Sequence, residues 1–287
     1  MQYSTLLFLV VLAVLPATSA GQIHFPRISP ESTLQQRVGL TDFTIVYGRP
    51  GRRNRQIFGE RVPYGRIWRV GANESTKFTV SDTILVAGQM LPAGTYALYA
   101  FPEADAWEIV FHHNINHWGD GRDQYNPAED ALRLRLLPEV LRDTVETLTI
   151  EFTNFSHQSA DCTISWENLR VRIPIEVDTH RKVMRAIQMQ LQATPSADTY
   201  YQAARYLQES GREPAQALQW LHEALALGGD TYYYHRVKSL VEAQLGQYEA
   251  AIQSAQRSLE LAAQQNKDEF VRENALHIAQ WQNILKR

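Results

Sequence analysis

The chain has 287 residues, a formal net charge of −3 and one cysteine. The nearly balanced charge argues against a nucleic-acid-binding protein or one held on an anionic membrane by electrostatics. A single cysteine excludes an internal disulfide, and the length is sufficient for two domains of roughly 100–200 residues each. Cys162 lies in the alternating pattern "DCTISW", which predicts a buried thiol in a strand and not a catalytic one.

The first residues of the chain are strongly apolar. Residues 6–15 form an unbroken apolar run, which Pro16 and the small residues 17–20 follow. This pattern predicts a secretory signal peptide over residues 1–20, because the run is much shorter than the roughly 20 residues of a spanning helix. The absence of Lys and Arg from "MQYST" leaves a retained anchor as the alternative. We expect a periplasmic or extracellular protein without a membrane span after signal cleavage.

Residues 21–178 have the pattern of strands. Eight β-branched and aromatic runs alternate apolar and polar residues between Gly, Pro and Asp, as half-buried strands do. In "LRVRIPIEV" (169–177), apolar residues alternate with Arg170 and Arg172. Because helical periodicity is missing here, we predict an antiparallel β-sandwich. The predicted strands are 41–48, 76–80, 95–101, 107–113, 131–137, 143–155, 161–167 and 169–177.

Residues 179–287 have a helical period instead. Six segments repeat apolar residues at three- and four-residue spacing, which predicts six helices. Ser196 and Pro214 mark helix starts, whereas Gly211, Gly228 and Gly246 mark helix ends.

Two of these helical segments are related by an offset of 34 residues. Ala217, Leu218, Leu225 and Leu227 recur as Ala251, Ile252, Leu259 and Leu261. This offset is typical of a tetratricopeptide-like helical repeat, although its aromatic and proline positions are met only loosely. Stacked helix pairs build concave surfaces, so we expect a protein or peptide partner to dock on the helices.

The segment between Arg49 and Arg69 contains seven arginines, one acid and no lysine. Guanidinium groups favour bidentate contacts with carboxylates and phosphates, and nearby aromatic residues offer faces for stacking. One interpretation is a pocket for a small polar, anionic or glycan-like ligand. The other is a solvated loop whose arginines pair with acids elsewhere. The candidate ligand-binding residues are Arg49, Arg55, Tyr64, Trp68, Arg69, Asn73 and Glu74.

Asn73 and Glu74 each allow two interpretations. Asn73 tolerates a left-handed turn, and Glu74 could pair with Arg69 or Arg49 as a structural contact. In the alternative, Glu74 is the general base of a hydrolase or lyase that acts on a sugar or cell-wall substrate. No second carboxylate or nucleophile accompanies Glu74 at a recognisable spacing, so we favour a binding or scaffold protein over an enzyme and assign no catalytic residue.

Three histidines in "HHNINHW" (112–118) raise the question of a metal site. His112 and His113 are adjacent in a predicted strand, which directs them to opposite faces, and no zinc-binding spacing supports them. Glycine-rich phosphate-binding patterns are also missing. We therefore predict no metal and no cofactor.

Several blocks occur in the order found in the DUF2911 family, a group of secreted bacterial proteins without an assigned activity. They include "TIVYGRP", "IFGERVPYGRIWRVGANESTKFTV", "GQMLPAGTYALYAFP" and "WEIVFHHNINHWG". The chain resembles this family over residues 28–176, and the family pattern includes Trp118 and Gly119. The resemblance implies a DUF2911-like β domain that helical repeats can follow, and it supplies no reaction.

Overall fold

A computed structural model describes residues 26–287, so the predicted signal peptide lies outside the described residues. All strands in this range precede the six α-helices, and one short 3-10 helix (Pro127–Glu129) lies among the strands. This order confirms the predicted change from strand spacing to helical spacing. The last strand ends at Glu176 and the first helix begins at Thr179. The strands are β1 (Glu31–Val38), β2 (Thr41–Gly48), β3 (Ala72–Val80), β4 (Ile84–Val86), β5 (Gln89–Leu91), β6 (Gly94–Pro102), β7 (Trp107–His112), β8 (Asp130–Leu136), β9 (Pro138–Thr153) and β10 (Ser159–Glu176).

The strands form two antiparallel sheets. One sheet has six strands in the order β1-β2-β3-β6-β7-β8, and the other has four in the order β5-β4-β10-β9. Residues of β2 alternate as the strand period requires, since Phe43, Ile45 and Tyr47 are buried while Asp42 is exposed.

Side chains from both sheets share one hydrophobic core. Phe43 of β2 and Phe152 of β9 have ring centroids 5.2 Å apart. Trp166 of β10 stacks on Trp68, with centroids 6.0 Å apart. Fully burying large apolar side chains stabilises the fold by about 1.5–3 kcal/mol each, so this core is what holds the two sheets together.

A segment that continues from β2 covers the edge of β9. The hydroxyl oxygen of Tyr47 accepts a hydrogen bond from the Ile150 N–H at 3.0 Å. Further along, the carbonyl oxygen of Pro50 accepts one from the Leu148 N–H, also at 3.0 Å. We call residues 47–52 the edge-covering segment, because β9 is the last strand of its sheet and these bonds satisfy its outward backbone groups.

The strands differ from the prediction at the edges and at one bulge. β1 was not predicted because its sequence "ESTLQQRV" is mostly polar, as befits a largely exposed edge strand. β4 and β5 have only three residues each. The two predicted strands 161–167 and 169–177 form one strand, β10, which bulges where Glu167 adopts a left-handed φ of 56°. A bulge shifts the side-chain alternation without ending the strand.

The helical half contains six α-helices, as the spacing of its apolar residues predicts. Ser196 caps the second helix by accepting a hydrogen bond from the Thr199 N–H at 3.2 Å, and Pro214 is the first residue of the third helix. Both predicted helix starts are confirmed. The helices are α1 (Thr179–Gln192), α2 (Ala197–Ser210), α3 (Pro214–Ala226), α4 (Tyr232–Gln244), α5 (Tyr248–Gln264) and α6 (Asp268–Leu285).

Consecutive helices pack against one another. Ala217 of α3 and Ala251 of α5, which are related by the 34-residue offset, are both fully buried. Tyr201 of α2 stacks on Tyr234 of α4, with ring centroids 4.4 Å apart. Within residues 26–287, no helix combines the length and the apolar character that crossing a membrane requires.

Candidate functional site

The stretch "RIWRVGANEST" (66–76) runs beside β6 and then turns sharply into β3. Trp68 exchanges two backbone hydrogen bonds with Ala100 of β6, at 2.7 and 2.9 Å. Val70 and Asn73 then adopt left-handed φ values of 52° and 67°, which bend the chain into β3. Neighbouring side chains of an extended segment point to opposite faces, so Trp68 enters the core while Arg69 leaves it.

The arginine-rich loop, which connects β2 to the 66–76 stretch, is fastened to the bulge of β10. A carboxylate oxygen of Glu167 lies within hydrogen-bonding distance of two backbone N–H groups, those of Ile57 at 3.3 Å and Phe58 at 3.4 Å. Its other oxygen lies 3.6 Å from Nε of Arg52. The bulge therefore aims Glu167 at the loop, which fixes the path of its arginines.

The arginine-rich loop, the 66–76 stretch and part of a loop over residues 113–126 surround a cavity of about 500 Å³. This volume is within the usual range for small-molecule sites. We call it the arginine cavity. Its charged and aromatic lining residues are Arg53, Arg55, Arg61, Arg69, Arg122, Asp120, Trp68 and Trp166.

Positive charge dominates the arginine cavity, because five arginines and one acidic residue line it. The acid, Asp120, is paired with Arg122 at 3.0 Å. Arg55 donates to the carbonyl oxygens of Arg52 and Gly51, at 2.9 and 2.8 Å.

Among the described residues that line the cavity, Arg69 is the arginine with a buried donor that lacks a partner. Its Nε is buried and has no hydrogen-bond partner among the described residues. Leaving such a group unsatisfied is costly, and because Arg69 lines the cavity, its guanidinium could turn toward a bound anion and satisfy it. The cavity is therefore suited to a carboxylate or a phosphate group.

Three of the seven predicted site residues, Arg55, Trp68 and Arg69, line the arginine cavity. Arg49 does not, because its guanidinium donates to the Leu148 carbonyl and the Thr149 hydroxyl, both at 3.1 Å. It therefore fastens the edge-covering segment to β9.

The other three predicted residues also lie apart from the cavity lining. Tyr64 is 42% exposed, and the side-chain amide of Asn73 donates to the Ser29 carbonyl at 3.1 Å. Glu74 is exposed and borders a separate small cavity. The structural pairing considered for Glu74 does not occur: within residues 26–287 it forms no ion pair with Arg69 or Arg49, because the left-handed kink turns it away.

Five charged or aromatic cavity residues were not among the candidates. Arg53 and Arg61 belong to the arginine-rich segment itself, and the other three come from elsewhere in the chain. Asp120 and Arg122 come from the 113–126 loop and Trp166 comes from β10, so only the tertiary fold brings them to the arginines. The "WG" sequence at 118–119 could have pointed to this loop, because it belongs to the family pattern and directly precedes Asp120.

A buried polar network holds the 113–126 loop against the outer face of the six-stranded sheet. Nδ1 of His112 lies 3.1 Å from a carboxylate oxygen of Asp130, and the Tyr125 hydroxyl donates to the same carboxylate at 2.8 Å. His117 is also buried, and its Nδ1 lies 3.5 Å from the Tyr99 hydroxyl. Burial lowers the pKa of His117 and raises the pKa of Tyr99, since it disfavours the charged forms.

His112 is buried and His113 is exposed, as expected for adjacent residues at the end of a strand. Nδ1 of His112 faces Asp130, and the ring of His113 packs against Tyr96. In the part of the chain that the structure describes, no group of three or more His, Cys, Asp or Glu side chains is arranged to hold a metal ion.

The helical half has a concavity of its own, of about 430 Å³. It is lined from α2, α4 and α6, and not from α3 or α5. Tyr201, Tyr233 and Phe270 contribute aromatic faces, and Arg205 and Arg236 contribute charge. We call it the helical groove.

Comparisons with known proteins identify one family. The model described as "Protein of unknown function (DUF2911)" matches residues 29–175. This range contains nearly the whole lining of the arginine cavity, and it confirms the resemblance seen in the sequence. No curated protein and no solved structure matches the chain.

Proposed function

The chain belongs to the DUF2911 family of proteins of unknown function, so we propose a function from the site itself. The β half binds a small anionic ligand in the arginine cavity without transforming it. The observation that carries this proposal is the buried Nε of Arg69, unpartnered among the described residues, in a cavity that five arginines line.

Binding accounts for the cavity better than catalysis does. The alternative, a hydrolase or lyase, needs a general base within reach of the ligand, and Glu74 does not line the cavity. Asp120 lines it but is already paired with Arg122. Charge-assisted contacts from several guanidinium groups are instead the usual means of holding a carboxylate or phosphate.

The test compares two arginines of the same stretch. Isothermal titration at low salt would measure binding of phosphate, acetate, glucuronate and glucose 6-phosphate to the wild type, Arg69→Gln and Arg66→Gln. Arg66 is exposed and does not line the cavity, so it controls for loss of charge. We expect Arg69→Gln to weaken anion binding at least tenfold, as loss of a charge-assisted bond of about 1.5–3 kcal/mol predicts, and Arg66→Gln to leave it within about twofold.

Two results would count against the proposal. Equal weakening in both variants would indicate a nonspecific charge effect. No binding of any of these anions to the wild type would refute an anion site in the cavity.

We further propose that the two sheets form a β-sandwich and that the helices form a tetratricopeptide-like repeat. The core shared by the sheets supports the first assignment. Buried alanines at equivalent positions of α3 and α5 support the second, together with the alternation of helices around the helical groove. A crystal structure in which α3 and α4 do not superimpose on α5 and α6 would refute the repeat, and one in which the two sheets do not face each other would refute the sandwich.

The helical groove favours a second role, the docking of a protein or peptide partner. Aromatic faces beside arginines are common at such interfaces. Peptides selected from a display library on the full chain should lose binding in Arg205→Ala, which changes the groove. They should keep it in Arg257→Ala, because Arg257 is a partly exposed arginine of α5 outside the groove. Loss of peptide binding in both variants, or in neither, would argue against the helical groove as the docking site.

We propose that the protein acts in the periplasm or outside the cell. The support is the sequence of residues 1–20, with its short apolar run and small residues. Fractionation of cells that express the full chain, followed by N-terminal sequencing, tests this. A cytoplasmic protein that keeps its first residue would contradict it.

A further inference from the structure

Trp118 differs from the other tryptophans of the chain in its exposure. All six lie in the described residues, and the other five are at most 9% exposed, whereas Trp118 is 73% exposed. A large apolar ring in water forgoes the hydrophobic stabilisation that the other five gain. The folded chain alone gives no reason for this exposure.

The backbone on both sides of Trp118 is held in place. His117 before it is buried. Gly119 after it has a left-handed φ of 68°, and a Cβ at that position would lie 3.4 Å from Nη1 of Arg69. The Gly121 N–H donates to the Trp118 carbonyl at 3.3 Å and closes a turn. Trp118 is therefore presented to solvent by a turn that lies beside Arg69, the cavity arginine whose Nε is buried.

The same turn contributes to the cavity lining. Asp120 and Arg122 both line the arginine cavity, so Trp118 stands two residues from its rim. Trp118 itself is not part of the lining, so its indole would meet only a part of a ligand that extends out of the cavity.

We propose that the bound anion carries a sugar ring that packs on Trp118, so that the ligand is a sugar acid or a sugar phosphate. This inference rests on the proposed function of the arginine cavity. The arginines hold the carboxylate or phosphate, and the C–H face of a pyranose ring covers the indole.

The experiment compares pairs of anions in which only one member carries a sugar ring. Titrations compare glucuronate with acetate and glucose 6-phosphate with inorganic phosphate, with glucose as the neutral control. For one of these pairs we expect the ring-bearing anion to bind the wild type about tenfold more tightly, as aromatic packing of this kind provides. Trp118→Ala should abolish that advantage and leave the ring-less anion unchanged, and Trp118→Phe should keep part of it.

Acrylamide quenching gives a second readout. Trp118 is the accessible tryptophan, so the cyclic anion should protect wild-type fluorescence from acrylamide and should not do so in Trp118→Phe. An equal affinity of cyclic and ring-less anions, or a ring advantage that survives Trp118→Ala, overturns the inference while the arginine cavity remains an anion site. Failure of every anion to bind overturns both proposals.

Discussion

The hydroxyl of Tyr47 is a small group whose removal tests how the two sheets are joined. It lies between the backbone N–H and carbonyl oxygen of Ile150, at 3.0 and 3.4 Å. Tyr47→Phe keeps the buried ring and removes only the oxygen. The edge of β9 at this point then loses its hydrogen-bonding partner.

The expected cost follows from the position of Ile150. This residue is buried, and β9 has a neighbouring strand on one side only. A net hydrogen bond contributes about 0.5–1.5 kcal/mol, and a buried donor left without a partner costs about 1–3 kcal/mol. We therefore expect Tyr47→Phe to lower the free energy of unfolding by about 2 kcal/mol.

Urea unfolding at 25 °C, followed by tryptophan fluorescence, measures this loss. For a slope of about 2 kcal/mol/M, the midpoint should fall by about 1 M. Tyr64→Phe is the matched control, because Tyr64 is 42% exposed and such substitutions usually change stability by less than about 0.5 kcal/mol. If the urea midpoint of Tyr47→Phe fell no further than that of Tyr64→Phe, the Tyr47 hydroxyl would not be what closes the β9 edge.

Two further predictions concern buried titratable groups. Burial lowers the pKa of His117, so the unfolded chain takes up a proton at a higher pH than the folded one. Stability should therefore fall as the pH decreases from about 7 through the usual histidine pKa of about 6.5. In His117→Asn this fall should be smaller, whereas the exposed His113→Asn should keep it; equal pH profiles for all three would contradict the assignment. Burial also raises the pKa of the Cys162 thiol to about 12, so Ellman's reagent should react with it only in urea, and rapid reaction of the native protein would contradict its burial.

Much of the secondary structure was predictable because it rests on local periodicity. Strands such as β2 and β8 alternate apolar and polar side chains, and the helix starts at Ser196 and Pro214 carry their own local signals. β1 has too few apolar residues to stand out, since its pairing with β2 needs only backbone groups. The bulge at Glu167 also escaped prediction, because a left-handed residue within a strand depends on what the strand packs against.

The candidate site was predictable in part. Arg55, Trp68 and Arg69 lie within one segment, and their chemistry is visible in its composition. Arg122 and Trp166 reach the same cavity from distant parts of the chain, which a linear pattern does not show. Four residues that the sequence grouped with the cavity do not line it, because backbone geometry and contacts to β9 direct them elsewhere.

The edge-covering segment has a consequence for the order in which the chain folds. Its contact between Tyr47 and Ile150 joins residues 103 positions apart, and the entropy cost of closing a loop grows with its length. Proteins built on such distant contacts fold in milliseconds to seconds, whereas helical bundles with local contacts fold in microseconds to milliseconds. We therefore expect the helices to fold first. The arginine cavity, whose loop leaves directly from this segment, should be among the last parts of the molecule to form.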